Sequence, residues 1–281
     1  MAQREIAALV ALLSDENREV AGAARRRLVD VGELALPAVE CASVADDPRV
    51  RSAARDARIA ILGARAEAAL DETLRTSEID LEACVIELAK IERPDLDAGA
   101  VRARLDELAS RVASRVAEAS TFVERAAALG EVLRGEEGFQ GNSDDYYRPQ
   151  NSYIDWVLDL KKGIPISLSL LYVFVGKRAG LDVFGVGLPR HFVAGIREGE
   201  AVLYIDAFNG GVVLDRDEAQ ALLLRQNLPA HGSLFAEAAP RDVVRRMLAN
   251  LAYAYRDRRD EPRSARIGRL LGALEAGRAR A

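Results

Sequence analysis

Residues 161–206 read KKGIPISLSLLYVFVGKRAGLDVFGVGLPRHFVAGIREGEAVLYID, and the reading of the whole chain turns on them. The run from Pro165 to about Arg178 is apolar and long enough for a helix. Proline suits the first helical turn, where its missing N–H has no intrahelical acceptor to satisfy, and Gly180 suits the residue just past a helix end. Two strand-like runs follow, HFVAGI (191–196) and AVLYID (201–206), joined by REGE. A tight turn at Glu198–Gly199 predicts that His191 lies directly opposite Asp206, with Cβ atoms about 5 Å apart. A one-residue slip would send the two side chains to opposite faces.

On the N-terminal side of this stretch, residues 138–153 (GFQGNSDDYYRPQNSY) crowd Gly, Asn, Asp, Tyr and Pro into a loop too aromatic for a flexible linker, followed by IDWVLDL (154–160). Residues 66–135 read as helical throughout. A helix near 80–91 begins at a capping Asp80, RPDLD (93–97) breaks it at Pro94, and further helices run over 98–117 and 120–134. Cys84 falls on the apolar face of the first of these and reads as a small buried hydrophobe. The first 63 residues repeat: EVAGAAR (19–25) returns as RVRSAAR (49–55), each behind a polar turn, SDEN (14–17) and ADDP (45–48). This pattern resembles short HEAT-type repeats, with Val20, Ala23 and Ala24 and then Val50, Ala53 and Ala54 facing inward, and such arrays present surfaces for protein contact. The tail reads as two helices around DRRDEP (257–262) and resembles a tetratricopeptide-type hairpin. The domains expected are therefore 1–65, 66–239 (helical part 66–135, core 136–239) and 240–281.

Composition narrows the function classes. The 281 residues are 49% apolar and 30% charged, which excludes a disordered or coiled-coil-only chain. The longest uncharged stretch, 163–176, is too short to span about 30 Å of hydrocarbon. The apolar run at 6–13 has no small-residue cleavage site after it and reads as a helix face. Two cysteines, Cys41 and Cys84, and two histidines, His191 and His231, exclude a disulfide scaffold and a Cys- or His-built metal site, so no metal or cofactor is expected. Reduced thiols fit a cytoplasmic location. Residues 61–239 carry a net charge of −10, which argues against general binding to nucleic acid; residues 240–281 carry +6, read as a solvated arginine-rich face or a contact for an acidic partner.

Four blocks in order carry a family resemblance: GFQGNSDDYYRPQNSYIDWVL (138–158), KKGIPISLSLLY (161–172), GVGLPRHFVAG (185–195) and YIDAFNGG (204–211). From about 80 to 260 the chain resembles the SirB-type branch of the transglutaminase-like superfamily, and a bacterial source is expected for it. The resemblance implies a helix-rich α+β fold with a papain-like core, in which a helix packs on a small antiparallel sheet. Active transglutaminase-like enzymes place a nucleophilic Cys in a Gly–x–Cys motif at the helix start, with a His and an Asp on neighbouring strands. Here Gly163–Ile164 precede the nucleophile position and Pro165 occupies it, as the branch generally has it; His191 and Asp206 match the His and the Asp. Arg190 stands where the branch often has Gly, and Ala207 where it often has Pro.

Ser167, two positions into the helix, is the candidate replacement nucleophile, although first-turn hydroxyls commonly bond backbone. Asn142, Tyr146 and Asn151 in the motif loop, with Pro165, are the candidate ligand-binding residues, against a plain turn-making role for the Asx side chains. Three functions stay open: a non-catalytic protein of interaction or regulation, with a protein partner on the helical repeats; a hydrolase or acyltransferase using Ser167, His191 and Asp206; and a binder of a peptide or small ligand in the vestigial cleft. His191 and Asp206 also admit a purely structural reading, as a pair that stabilises the hairpin.

Overall fold

The computed structural model describes residues 3–225 and 227–278. The chain divides into two compact units, one of Met1–Thr73 and Glu87–Leu96, the other of Leu74–Ile86 and Asp97–Ala281. The boundary read at 65 falls inside a continuous helix, and the tail belongs to the same unit as the core.

The first unit is built from α1 (Gln3–Ala11), α2 (Arg18–Val31), α3 (Leu36–Ala42) and most of α4 (Pro48–Arg75). The repeat in the sequence has a local cause. Asn17 Oδ1 accepts the Glu19 N–H at 2.9 Å and Asp47 Oδ1 accepts the Arg49 N–H at 2.8 Å, so each polar turn supplies the side-chain acceptor that starts the following helix. Leu28, Val39, Ala54 and Ile61 form its core with Ile6 and Leu13. Ala24 and Ala54 are buried as expected, whereas Ala23 is exposed. It follows Gly22 on α2, one residue short of the buried stripe through Ala24 and Leu28.

Helix α5 (Leu81–Lys90) begins in the second unit, and its last residues, from Glu87, are counted with the first; it starts at Asp80, whose carboxylate accepts the Ala83 N–H at 3.0 Å, and Cys84 is buried. Helix α6 (Ala98–Glu118) is capped by Asp97, and α7 (Phe122–Gly130) by a reciprocal Thr121–Glu124 box before a π-helical turn, Glu131–Glu136. Then come β1 (Gln140–Gly141), α8 (Ile154–Leu160) and β2 (Lys162–Gly163), with β1 and β2 paired in parallel. Helix α9 (Pro165–Arg178) is buried without interruption from Pro165 to Gly176. It packs on an antiparallel sheet of β3 (Asp182–Leu188), β4 (His191–Glu198), β5 (Ala201–Asp206) and β6 (Val212–Leu214), in that order. A Cβ on Gly176 would stand 2.5 Å from Val183 Cγ2, so glycine sets how closely α9 approaches β3. Helix α10 (Arg216–Arg225) follows, and α11 (Pro240–Asp257) and α12 (Glu261–Arg278) form the terminal hairpin.

Two strand expectations need correction. The β4–β5 ladder pairs Glu198 with Ala201 and Ala194 with Ile205, so the turn is Gly199–Glu200, one position later than expected. His191 is consequently offset by two residues from the partner position of Asp206. A two-residue offset preserves the face, which is why the pair survives the change of register. Strand β3 was not legible because Gly185 and Gly187 dilute its pattern. The sheet covers such glycines with rings from the neighbouring strand: a Cβ on Gly185 would meet Phe192 at 2.8 Å, and one on Gly195 would meet Phe184 at 2.5 Å.

Candidate functional site

The start of α9 is assembled from sequence-distant pieces. Gly163 ends β2, and a Cβ there would stand 2.7 Å from Ser167 Oγ and 2.9 Å from Leu168 Cγ. Only a residue without a side chain lets the first turn of α9 fold back this tightly. Ser167 fills the space: its hydroxyl donates to the Asn151 carbonyl at 2.5 Å and accepts the Ile164 N–H at 3.1 Å. It is buried, and both roles of the hydroxyl are spent on backbone. Ser169 is likewise buried and donates to the Phe192 carbonyl at 3.1 Å, tying α9 to β4.

His191 opens β4 and Asp206 ends β5. With its carboxylate ionised, Asp206 only accepts, so the His191 Nε2–H donates to Asp206 Oδ2 at 2.9 Å. Asp206 also accepts from Asn209, through the side-chain amide at 2.8 Å and the backbone N–H at 3.1 Å. Burial pushes the Asp206 carboxyl up, yet the hydrogen bond and charge of His191 and the two bonds from Asn209 outweigh it and hold the group below its ordinary value. Asn209 was not singled out in the sequence; the signal was an Asx residue three positions after the Asp, before Gly210 and Gly211, which both take positive φ.

A cleft of about 570 Å³ opens beside this pair, lined among others by Tyr146, Pro165, Arg190, His191, Phe208 and Asn209. Phe208 stands edge-on to both Tyr146 and His191, with centroids 5.9 and 6.4 Å away. Of the expected ligand-binding residues, Tyr146 and Pro165 reach the cleft. Asn142 and Asn151 are buried behind it: the Asn142 amide donates to Asn151 Oδ1 at 2.9 Å, and the Asn151 amide donates to the carbonyls of Asp145 and Tyr146 at 2.7 and 3.1 Å. They shape the loop that presents Tyr146. Ser167 is not part of the cleft lining. His231 is exposed and bonds Ser233 in its own loop.

Arg190 occupies the second position of the Pro189–Arg190 turn between β3 and β4, with φ +56°. Proline followed by a left-handed residue is the type II pattern, which favours glycine at that second position. The fork of Arg246 on α11 donates to the Leu188 carbonyl at 2.9 Å and braces the same turn. Among the described residues no cluster of His, Cys, Asp and Glu is arranged to hold a metal ion, and no helix is long and apolar enough to cross a membrane.

Residues 99–249 match the profile of the transglutaminase-like superfamily, and that span holds the start of α9, His191 and Asp206 together. The chain belongs to the transglutaminase-like superfamily. A UPF0162 protein of Xylella fastidiosa strain 9a5c is 31% identical over 207 residues, 70% of each chain. A second, from strain Temecula1, is 33% identical over 203 residues, 68% of this chain and 69% of the relative. The human F-box only protein 21 is 34% identical over 132 residues, 44% of this chain and 20% of that protein. No solved structure matches. The UPF0162 relatives agree with the SirB-type branch indicated by the motif blocks. In this transglutaminase-like chain His191 and Asp206 are bonded to each other, and Pro165 opens the buried helix α9.

Proposed function

We propose that this transglutaminase-like protein is non-catalytic and acts by recognition, through its cleft and its helical surfaces, in protein interaction or regulation. The observation that carries the reading is the start of α9. Pro165 has neither a nucleophilic side chain nor a backbone N–H, so the position lacks both the attacking group and a donor that a helix start offers to a developing oxyanion. The hydroxyl of Ser167, two residues on, is buried and bonded to Asn151 and Ile164. A His–Asp pair without a nucleophile remains able to orient an imidazole in a cleft, which is a binding function.

Intact-mass measurement of the full chain after incubation with a serine-reactive fluorophosphonate tests this. No adduct is expected on the wild type. Stoichiometric labelling that disappears in both Ser167→Ala and His191→Ala would mean an activated serine and would overturn the proposal.

A further inference from the structure

Next to the cleft lies a second cavity of about 360 Å³, between the motif loop and α11. Tyr146 and Tyr147 line both, so the two form neighbouring halves of one groove. Aromatic rings run along it in sequence. Phe208 stands 5.9 Å from Tyr146, Tyr146 stands 5.2 Å from Tyr147, and Tyr147 stands 4.7 Å from Tyr253 on α11. Tyr147 and Tyr253 are 45% and 48% exposed, a large apolar area to leave in water.

The charged side chains lining the groove are of one sign, although Asp257 stands near enough to Tyr253 to act on its hydroxyl. Arg148 and Arg256 line the second cavity, Arg190 lines the cleft, and no Asp or Glu lines either. In the same unit Arg104, Arg111, Arg125, Arg178, Arg197 and Arg258 meet carboxylates, while Arg216, Arg241 and Arg246 donate to backbone carbonyls. Among the described residues, Arg148, Arg190 and Arg256 form no ion pair. The bonds they do make leave the ends of their forks open: Arg148 Nε donates to Gln150 at 3.4 Å, and Arg256 Nε to the Ala252 carbonyl one turn earlier. The N-terminus of α9 at Pro165 adds a positive dipole end on the same side.

We propose that this groove is a docking site for an extended acidic peptide, whose carboxylates pair with Arg148, Arg190 and Arg256 while its intervening residues lie on Tyr147 and Tyr253. This rests on the recognition reading above and names the partner chemistry for it. Arginine forks bind carboxylates in pairs of charge-assisted bonds, and tyrosines supply rigid apolar contact between them. A peptide suits the groove better than a single strand of nucleic acid. A continuous line of phosphates needs a cation at every step, whereas a peptide places its carboxylates only where the three arginines stand.

The test is fluorescence anisotropy of the full chain with a labelled decapeptide alternating Glu and Pro, which stays extended and soluble. Its Gln–Pro and Lys–Pro counterparts and an oligothymidylate of similar length are run beside it. The Glu–Pro peptide is expected to bind at least about tenfold tighter than the Gln–Pro peptide, a difference of ~1.4 kcal/mol, and to weaken as salt rises. Arg148→Gln, Arg256→Gln and Tyr253→Ala, all outside the core, are each expected to weaken it about threefold or more with unchanged thermal midpoints. Equal binding of the Gln–Pro or Lys–Pro peptide, no binding at about 1 mM, tighter binding of the oligothymidylate, or unchanged affinity in both arginine variants overturns the proposal. The mass of the recovered peptide separates the two claims. A cleaved or acylated peptide overturns the non-catalytic reading, while an intact but unbound peptide overturns only the acidic-peptide docking.

Discussion

Replacing Ser167 by Ala distinguishes a hydroxyl that holds the fold from one kept for chemistry. The hydroxyl donates to the Asn151 carbonyl at 2.5 Å, with the Ile164 carbonyl as a longer second acceptor at 3.1 Å, and accepts the Ile164 N–H at 3.1 Å, in a buried setting where water does not replace these bonds. A buried hydrogen bond contributes about 1 kcal/mol net, and an orphaned buried partner costs about 1–3 kcal/mol. Here one fallback exists, because the Ile164 N–H also points at the Asn151 carbonyl at 3.4 Å and each orphan partly satisfies the other. The expected loss is therefore about 2 kcal/mol, near the sum of two ordinary bonds and not the full penalty of two orphans. For a unit of this size that corresponds to a thermal midpoint lower by roughly 4–8 °C. Urea and thermal unfolding followed by circular dichroism measure it. Ser169→Ala is the internal control: its single bond to the Phe192 carbonyl predicts about half the loss. A Ser167→Ala protein as stable as wild type within about 0.5 kcal/mol would show that the hydroxyl is not committed to the backbone, and the structural assignment would fall.

Arg190→Gly is expected to raise stability by about 1 kcal/mol, because glycine takes φ +56° without the penalty that a Cβ imposes; a urea midpoint at or below wild type would refute this. The depressed Asp206 carboxyl gives an acid limb of known sign. The folded state binds the proton less readily than the unfolded state, whose carboxyl titrates near 3.9, so stability is present above about pH 4 and is lost as pH falls through the lower folded value. Asp206→Asn should be less stable near neutrality and flatter between about pH 5 and 2, and parallel acid limbs for the two proteins would contradict the assignment. Pro165→Cys should place a thiol at the N-terminus of α9, in the cleft with His191, where its thiolate is favoured. Iodoacetamide is expected to label it faster at pH 7 than the exposed Cys41, with the advantage reduced by His191→Ala; equal rates would show that the cleft no longer activates a nucleophile.

The helix starts were legible because they are decided locally. Asp80 reads as a cap and is one, and the structure adds Asp97 and Thr121; a side-chain acceptor within three residues of a free N–H needs nothing from the rest of the chain. The His191–Asp206 pair was legible by parity. Any even offset keeps both side chains on one face, so the pairing survived a turn placed one residue too early. The roles of Asn142 and Asn151 were not. An Asx residue in a loop reads alike whether its amide faces a cleft or another amide, and only the folded path of the 142–151 loop brings the two side chains within 2.9 Å.

By itself the sequence determined the apolar helix at 165–178, the cap at Asp80, and the pairing of His191 with Asp206. These follow from composition, from the 3.6- and 2-residue periods and from contacts within a few positions. Tertiary structure alone decided three things. It assigned Ser167 to the backbone, since the acceptor sixteen residues away arrives only when α9 and the motif loop pack together. It made Gly163 and Gly176 obligatory, since their need lies in the approach of Leu168 and Val183. It set Tyr147 beside Tyr253, since α11 is more than a hundred residues further along the chain. Each is a matter of which surfaces meet, and long-range contact is the one quantity that local pattern does not encode.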